Sequence, residues 1–270
     1  MTNKGKKPAT PVTKPFLTGT AKDGNTFKNA LRLFGTIVIV AVMSFLVCSM
    51  TAFDSVILRA LINASIIILT MYIYYNSGTR LGTEDVTRGE ILYNRQERNQ
   101  PISESERRLC FHSAKGFIIG LLAIIPFFLL ALALALTAQA VKTGAGVLPS
   151  WMESYLRRGE IGGALVSYTQ PEAMGFVDIL RIAVRLAIMP WVSIVGNADR
   201  SGMLLLERLS PLVMLLPAVA YGFGYLSGKS GRTRVHTEIA ENARRRRRKE
   251  IRARKARAGL FKPKEPNQLN

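Results

Sequence analysis

Four long runs of apolar residues constrain the fold of this chain more than any other feature. The longest, Gly116–Val141, has 26 residues and no charged side chain. An α-helix rises about 1.5 Å per residue, so this run exceeds the roughly 30 Å hydrocarbon core of a bilayer. Three further runs cover residues 33–53, 55–75 and 209–227. We therefore expect an all-α integral membrane protein with four transmembrane helices.

The first run follows a basic segment, which is also typical of a secretory signal peptide. Its apolar stretch is longer than the core of a signal peptide, and the second run follows immediately after Asp54. We therefore predict an uncleaved span and a tight hairpin that turns near Asp54.

The distribution of charge predicts the orientation of these spans. The chain has 270 residues and a formal net charge of +19, from 37 Lys and Arg against 18 Asp and Glu. Residues 1–32 carry +6 and residues 229–270 carry +11, so only +2 lies between them. Basic segments flanking membrane spans are retained in the cytoplasm. We expect both termini to be cytoplasmic, in a multi-pass protein of the plasma (cell) membrane.

The segment 176–195 is long and apolar enough to be considered a fifth span, but its charges argue against this. Asp178, Arg181 and Arg185 recur at helical spacing and share one face. A fifth crossing would also place the two basic termini on opposite sides. We predict an amphipathic or re-entrant helix on the outer side of the membrane.

The remaining segments are assigned by composition. A disordered basic N-terminal tail is expected over residues 1–28, because it has few large apolar side chains. The helical membrane domain then covers 29–228. It includes a cytoplasmic connector of mixed charge at 76–115 and an external region at 142–208. A polybasic cytoplasmic tail follows at 229–270.

Two local motifs predict further structure. Ser103 and Glu106 have the spacing of a capping box, which predicts a helix that leads into the third span. Glycines spaced four residues apart allow two helices to approach closely. Such pairs occur at Gly116/Gly120 and Gly224/Gly228.

Polar side chains within the apolar runs are costly to bury in lipid and are therefore candidate functional residues. Arg59 and Asn63 share a face of the second span. In the structural interpretation Arg59 extends to the membrane interface, where Asp54 is close enough to pair with it, and Asn63 bonds a neighbouring helix. In the alternative, they line a transport path.

The basic tail is unusually dense in positive charge. Ten basic side chains fall within residues 244–258. They are Arg244, Arg245, Arg246, Arg247, Arg248, Lys249, Arg252, Arg254, Lys255 and Arg257. Helix is expected here once a partner neutralises the repulsion between like charges. Because no apolar stripe accompanies them, the expected partners bind by charge. Anionic lipid headgroups and a topology signal without a specific partner are favoured equally, and ribosomal or other RNA is less favoured.

Motifs of catalysis and metal binding are not found. Gly228-Lys229-Ser230 matches the end of a phosphate-binding loop, but the glycine required five positions earlier is Phe223. The two histidines and two cysteines are not spaced as metal ligands. We therefore predict no catalytic residue, no cofactor and no metal site.

These features favour a non-enzymatic membrane scaffold, assembly factor or accessory subunit with a protein partner in the membrane. The first alternative is a small transporter or channel subunit with a path lined by Arg59, Asn63, Asp178, Arg181 and Arg185. The second is an insertase-like protein with a tail that contacts the ribosome.

Overall fold

The described residues of this computed structural model form helices and no strand. They comprise residues 12–50, 55–138, 150–155, 158–159, 161, 175–196 and 200–260. The helices are α1 (Thr26–Met50), α2 (Val56–Glu97), α3 (Glu104–Arg108), α4 (Lys115–Thr137), α5 (Phe176–Ala187), α6 (Met189–Val195) and α7 (Arg200–Leu260). A 3₁₀ helix covers Ser150–Tyr155. The predicted turn at Asp54 and most of the predicted external region before residue 175 lie outside the described residues.

Four of these helices are long and apolar enough to cross a membrane: α1, α2, α4 and α7. Each overlaps one of the four apolar runs, and α7 contains its run completely. The prediction of an all-helical, multi-pass membrane protein with four spans is therefore confirmed at the level of helix length and composition.

Two of the four helices extend well beyond their apolar runs. α2 has 42 residues and continues through much of the predicted connector, and α7 has 61 residues. Pro211 and Pro217 lie inside α7 without ending it. The extended parts of α2 and α7 pack closely. Gly228 of α7 lies so near the backbone of Gly82 in α2 that a Cβ atom on Gly228 would overlap it.

The chain packs as two compact units. The apolar unit comprises Gly24–Asn76 and Phe117–Gly222. The polar unit comprises the N-terminal residues through Asp23, the segment Ser77–Gly116, and the residues from Phe223 onward.

In the apolar unit, α1 packs against α5 and α6. The rings of Phe34 in α1 and Phe127 in α4 stack with their centroids 5.4 Å apart. Gly120 of α4 lies against Ala218 of α7, where a Cβ atom would come within 2.8 Å of the Ala218 carbonyl oxygen. The predicted close approach at Gly120 is therefore present.

The segment 176–195 forms two short helices rather than one. The backbone leaves the helical conformation at Ile188, and Pro190 occupies the first turn of α6. Proline has no N–H to donate and favours a helix start, so it separates the two helices. At 12 and 7 residues, neither is long enough to cross a bilayer alone.

In the polar unit, residues 12–23 form a strap without regular secondary structure, within the N-terminal tail for which the composition predicts disorder. The Leu17 N–H donates to the Gly89 carbonyl oxygen at 3.1 Å, and the Gly19 N–H donates to that of Phe111 at 3.0 Å. The absence of side chains at Gly19 and Gly89 permits this approach. Composition could not reveal these bonds, because they depend on distant parts of the chain.

The predicted capping hydrogen bond of Ser103 is absent, although a helix begins where the motif predicts one. Ser103 occupies the N-cap position of α3, but its side chain makes no capping hydrogen bond. Its hydroxyl lies 2.8 Å from that of Ser105 instead. α3 ends at Arg108 and α4 begins at Lys115, so α3 does not continue into the third span.

Candidate functional sites: buried charge clusters and a basic helix end

A buried ammonium group lies at the centre of the polar unit. Lys115, at the start of α4, donates from Nζ to the Asp85 carboxylate at 2.7 Å, and its Nζ is also 2.7 Å from Asp23 Oδ2. Lys115 also donates to the Leu109 carbonyl oxygen at 3.2 Å. The three charged side chains are each only 1% exposed. We call this the Lys115 cluster.

Tyr225 of α7 completes the Lys115 cluster. Its hydroxyl donates to Asp85 Oδ2 at 2.8 Å, and its ring stacks on Phe111 with centroids 5.1 Å apart. The ring occupies the space beside Gly116, which has no side chain. A Cβ atom at that position would overlap the ring. Burial raises the pKa of Asp85, which lies beyond the apolar run of α2, although Lys115 and Tyr225 oppose this shift. The cluster ties the N-terminal strap, α2, α4 and α7 together.

A second cluster joins α2 and α7 in the same unit. Glu90 accepts a hydrogen bond from Arg232 Nε at 2.9 Å, and its other carboxylate oxygen lies 2.7 Å from His236 Nε2. Glu90 and His236 are both buried. Both oxygens of the Glu90 carboxylate are therefore paired, as buried charges require.

In the apolar unit, Glu207 of α7 pairs with two of the predicted candidate residues. Arg181 Nε lies 2.8 Å from Glu207 Oε1, and Arg185 Nε donates to the same oxygen at 2.9 Å. Asp178 accepts from Arg181 at 3.2 Å and from the Gly175 N–H at 3.1 Å, so it also caps α5. The structure thus brings the three predicted residues together and adds Glu207, which sequence reasoning missed.

Arg59 and Asn63 have different surroundings although they share a face of α2. Asn63 is buried, accepts from Cys48 Sγ of α1 at 3.2 Å, and donates to the Arg59 carbonyl oxygen at 2.8 Å. The guanidinium group of Arg59 lies beside Gly196, where a Cβ atom would come within 2.7 Å of Nη2. Gly196 also has φ of 80°, a conformation that favours glycine. The proposed pairing of Arg59 with Asp54 falls outside the described residues.

The basic end of α7, residues 244–254, contrasts with these clusters. Its eight basic side chains are all exposed. Within the described part of the chain they form one ion pair, Arg245 with Glu241 at 3.6 Å. Lys255 and Arg257 follow in the last turns, where α7 continues to Leu260. This surface can attract a polyanion without first breaking internal bonds.

The described residues include histidine, cysteine and carboxylate side chains, the types that bind metal ions. None of them forms a group of three or more His, Cys, Asp or Glu side chains that could hold a metal ion. The pKa of the buried Cys110 thiol is raised by burial and by nearby Asp85, which keeps it protonated. The chain matches no protein-family model, no curated protein and no solved structure.

Proposed function

We propose that this protein is a non-enzymatic membrane scaffold, assembly factor or accessory subunit. Its basic helix end binds anionic lipid headgroups or other phosphates. The observation that carries the proposal is the exposure of eight basic side chains on the continuous helix α7. A surface pair such as Arg245–Glu241 contributes little, so nearly all of this charge is available to a partner.

The proposal places both termini in the cytoplasm of a plasma-membrane protein. The charge asymmetry supports this, because the excess of basic residues flanks the outermost spans. Anionic lipids of the inner leaflet attract each nearby basic side chain by about 1 kcal/mol. The segment 176–195 would then be an amphipathic or re-entrant pair of helices on the outer side.

The buried clusters favour scaffolding over transport. A transport path needs polar groups that are open to a solute, whereas Arg181 and Arg185 both bind Glu207. Asn63 is likewise engaged with Cys48. Contacts between helices are therefore sufficient to explain why these polar groups are present. A transporter is the weaker proposal.

Vesicle binding tests the proposal directly. The full chain is reconstituted in nanodiscs of zwitterionic lipid and mixed with vesicles that contain or lack about 30% phosphatidylglycerol, a composition chosen to give a strong surface charge. We expect flotation with the anionic vesicles only, and loss of flotation when Arg244–Arg248 are replaced by Gln.

A charge-matched control separates local from total charge. The variant K4Q/K6Q/K7Q/K14Q/K22Q also removes five positive charges but leaves α7 intact. It should float as the unaltered protein does. Equal loss in both variants would mean that net charge, and not the basic helix end, governs binding, and the proposal would fail.

A further inference from the structure

The basic helix end has a charge distribution that differs from that of a surface-binding helix. An α-helix turns about 100° per residue, so the eight basic residues of 244–254 leave no sector wider than about 80° without a positive side chain. Helices that lie on membranes concentrate charge on one face and apolar residues on the other. Here Ile251 is the one large apolar side chain, and it is exposed.

Positive charge on all sides fits a partner that presents phosphates to more than one side of the helix. A flat surface reaches about half of the circumference of a helix lying on it, and the remaining charges then face away. The major groove of B-form DNA is about 12 Å wide and has a phosphate backbone along both edges, and an α-helix with its side chains is about 10–12 Å across. The A-form major groove of RNA is too narrow for this arrangement.

The residue types agree with phosphate recognition. Seven of the eight basic side chains in 244–254 are arginines and one is Lys249. The guanidinium group donates two parallel hydrogen bonds to phosphate oxygens, which an ammonium group does not. By contrast, the basic side chains before residue 30 are all lysines. Aromatic side chains, which single-stranded nucleic acids require for base stacking, are absent from residues 244–254.

We propose that the basic helix end of α7 binds double-stranded DNA in its major groove through the phosphate backbone, without reading sequence. This inference rests on the proposed function and names its partner class. The protein would then attach duplex DNA to the membrane that holds its apolar helices.

Duplex binding by the full chain in zwitterionic nanodiscs tests the inference. The probes are a fluorescent DNA duplex of about two helical turns, the same length of single-stranded DNA, an A-form RNA duplex and anionic vesicles. We expect the DNA duplex to bind most tightly. Contact with about six phosphates predicts a loss of about 10³-fold in affinity between 50 and 200 mM salt.

Two variants with matched charge test whether phosphates flank the helix on two sides. R244Q/R248Q/R252Q removes three arginines from one face, and R246Q/R247Q/R254Q removes three from the opposite side. Gln retains helix propensity, so both variants should remain helical. In a groove both should bind more weakly and each should reduce the steepness of the salt dependence, by about 0.9 for every phosphate that is no longer neutralised. If only one of the two variants bound the DNA duplex more weakly, binding in the major groove would be excluded.

The probes also separate this inference from the proposed function. Binding to anionic vesicles without binding to the DNA duplex overturns the inference and leaves the proposed function in place. Equal or tighter binding of single-stranded DNA or A-form RNA also overturns it. Binding to none of the probes overturns both.

Discussion

The two regions of helix α7 use charge in opposite ways. Up to His236 its polar side chains include members of the buried clusters. Glu207 binds Arg181 and Arg185, and Glu90 is bound by Arg232 and His236. In residues 244–254 eight basic side chains are exposed, and they form a single ion pair in the described part of the chain.

This contrast separates charges that stabilise the fold from charges that are available to a partner. Removing one member of a buried cluster leaves the other without compensation, which is strongly destabilising. Removing an exposed arginine changes stability little. Mutations in the packed region should therefore affect folding, and mutations in the basic helix end should affect binding.

The largest effect is expected at the Lys115 cluster, where Tyr225 of α7 contacts Asp85. Replacing Lys115 by Met keeps most of the side-chain volume but removes the cation that two buried carboxylates, Asp23 and Asp85, share. Among the described cations, Asp85 then keeps only the more distant, half-exposed Arg88, at 3.8 Å. We expect a loss of about 3–5 kcal/mol in stability, measured by thermal unfolding of the detergent-solubilised protein.

Two control variants test whether the loss of stability in Lys115→Met comes from the removed charge. Lys22→Met alters an exposed lysine of the strap and should leave the unfolding temperature unchanged. The triple variant K115M/D23N/D85N should recover part of the stability, because no carboxylate remains uncompensated. A K115M protein as stable as the original would show that the buried cluster does not support the fold.

An intermediate effect is expected at Glu207. Replacing it by Ala leaves Arg181 and Arg185 without a shared anion, at a cost of about 3 kcal/mol, reduced because Arg185 is 30% exposed. The neighbouring variant Arg208→Ala removes an exposed side chain and should cost less than about 0.5 kcal/mol. Similar thermal unfolding of the two variants would contradict the role given to Glu207.

A smaller effect is expected where α7 packs on α2. A methyl group at Gly228 would overlap the backbone of Gly82, so Gly228→Ala should destabilise by about 1–3 kcal/mol. Gly231→Ala is the matched control on the same helix, because its Cβ would meet only Thr83 Oγ1 at 3.7 Å. It should be neutral or slightly stabilising, since Ala favours helix over Gly. Unfolding temperatures in the reverse order would exclude close packing at Gly228.

Sequence reasoning located the helices better than the contacts between them. The apolar runs identify the four candidate spans because lipid demands long uncharged helices. The four-residue glycine spacing correctly anticipates close packing at Gly116, Gly120 and Gly228. It does not show which neighbours they meet.

The charge clusters could not be read from the sequence. Asp85 and Lys115 are 30 positions apart, and Asp85 and Tyr225 are 140 apart. No local pattern links residues at such separations, and a mixed-charge connector is more often a solvated surface. One signal in the sequence is Lys115, which directly precedes the longest uncharged run. A lysine buried at that position needs carboxylate partners, so its position indicates that such partners exist.

The most direct test of the account measures stability and binding on one variant. Replacing Arg244–Arg248 by Gln should change the free energy of unfolding by less than about 0.5 kcal/mol, because these side chains are exposed. The same protein in zwitterionic nanodiscs should lose binding to anionic vesicles and to duplex DNA. Binding to either partner at the original affinity, or a large loss of stability, would contradict the account. It would show that the exposed charges of α7 are not the ones that bind a partner, or that they also stabilise the fold.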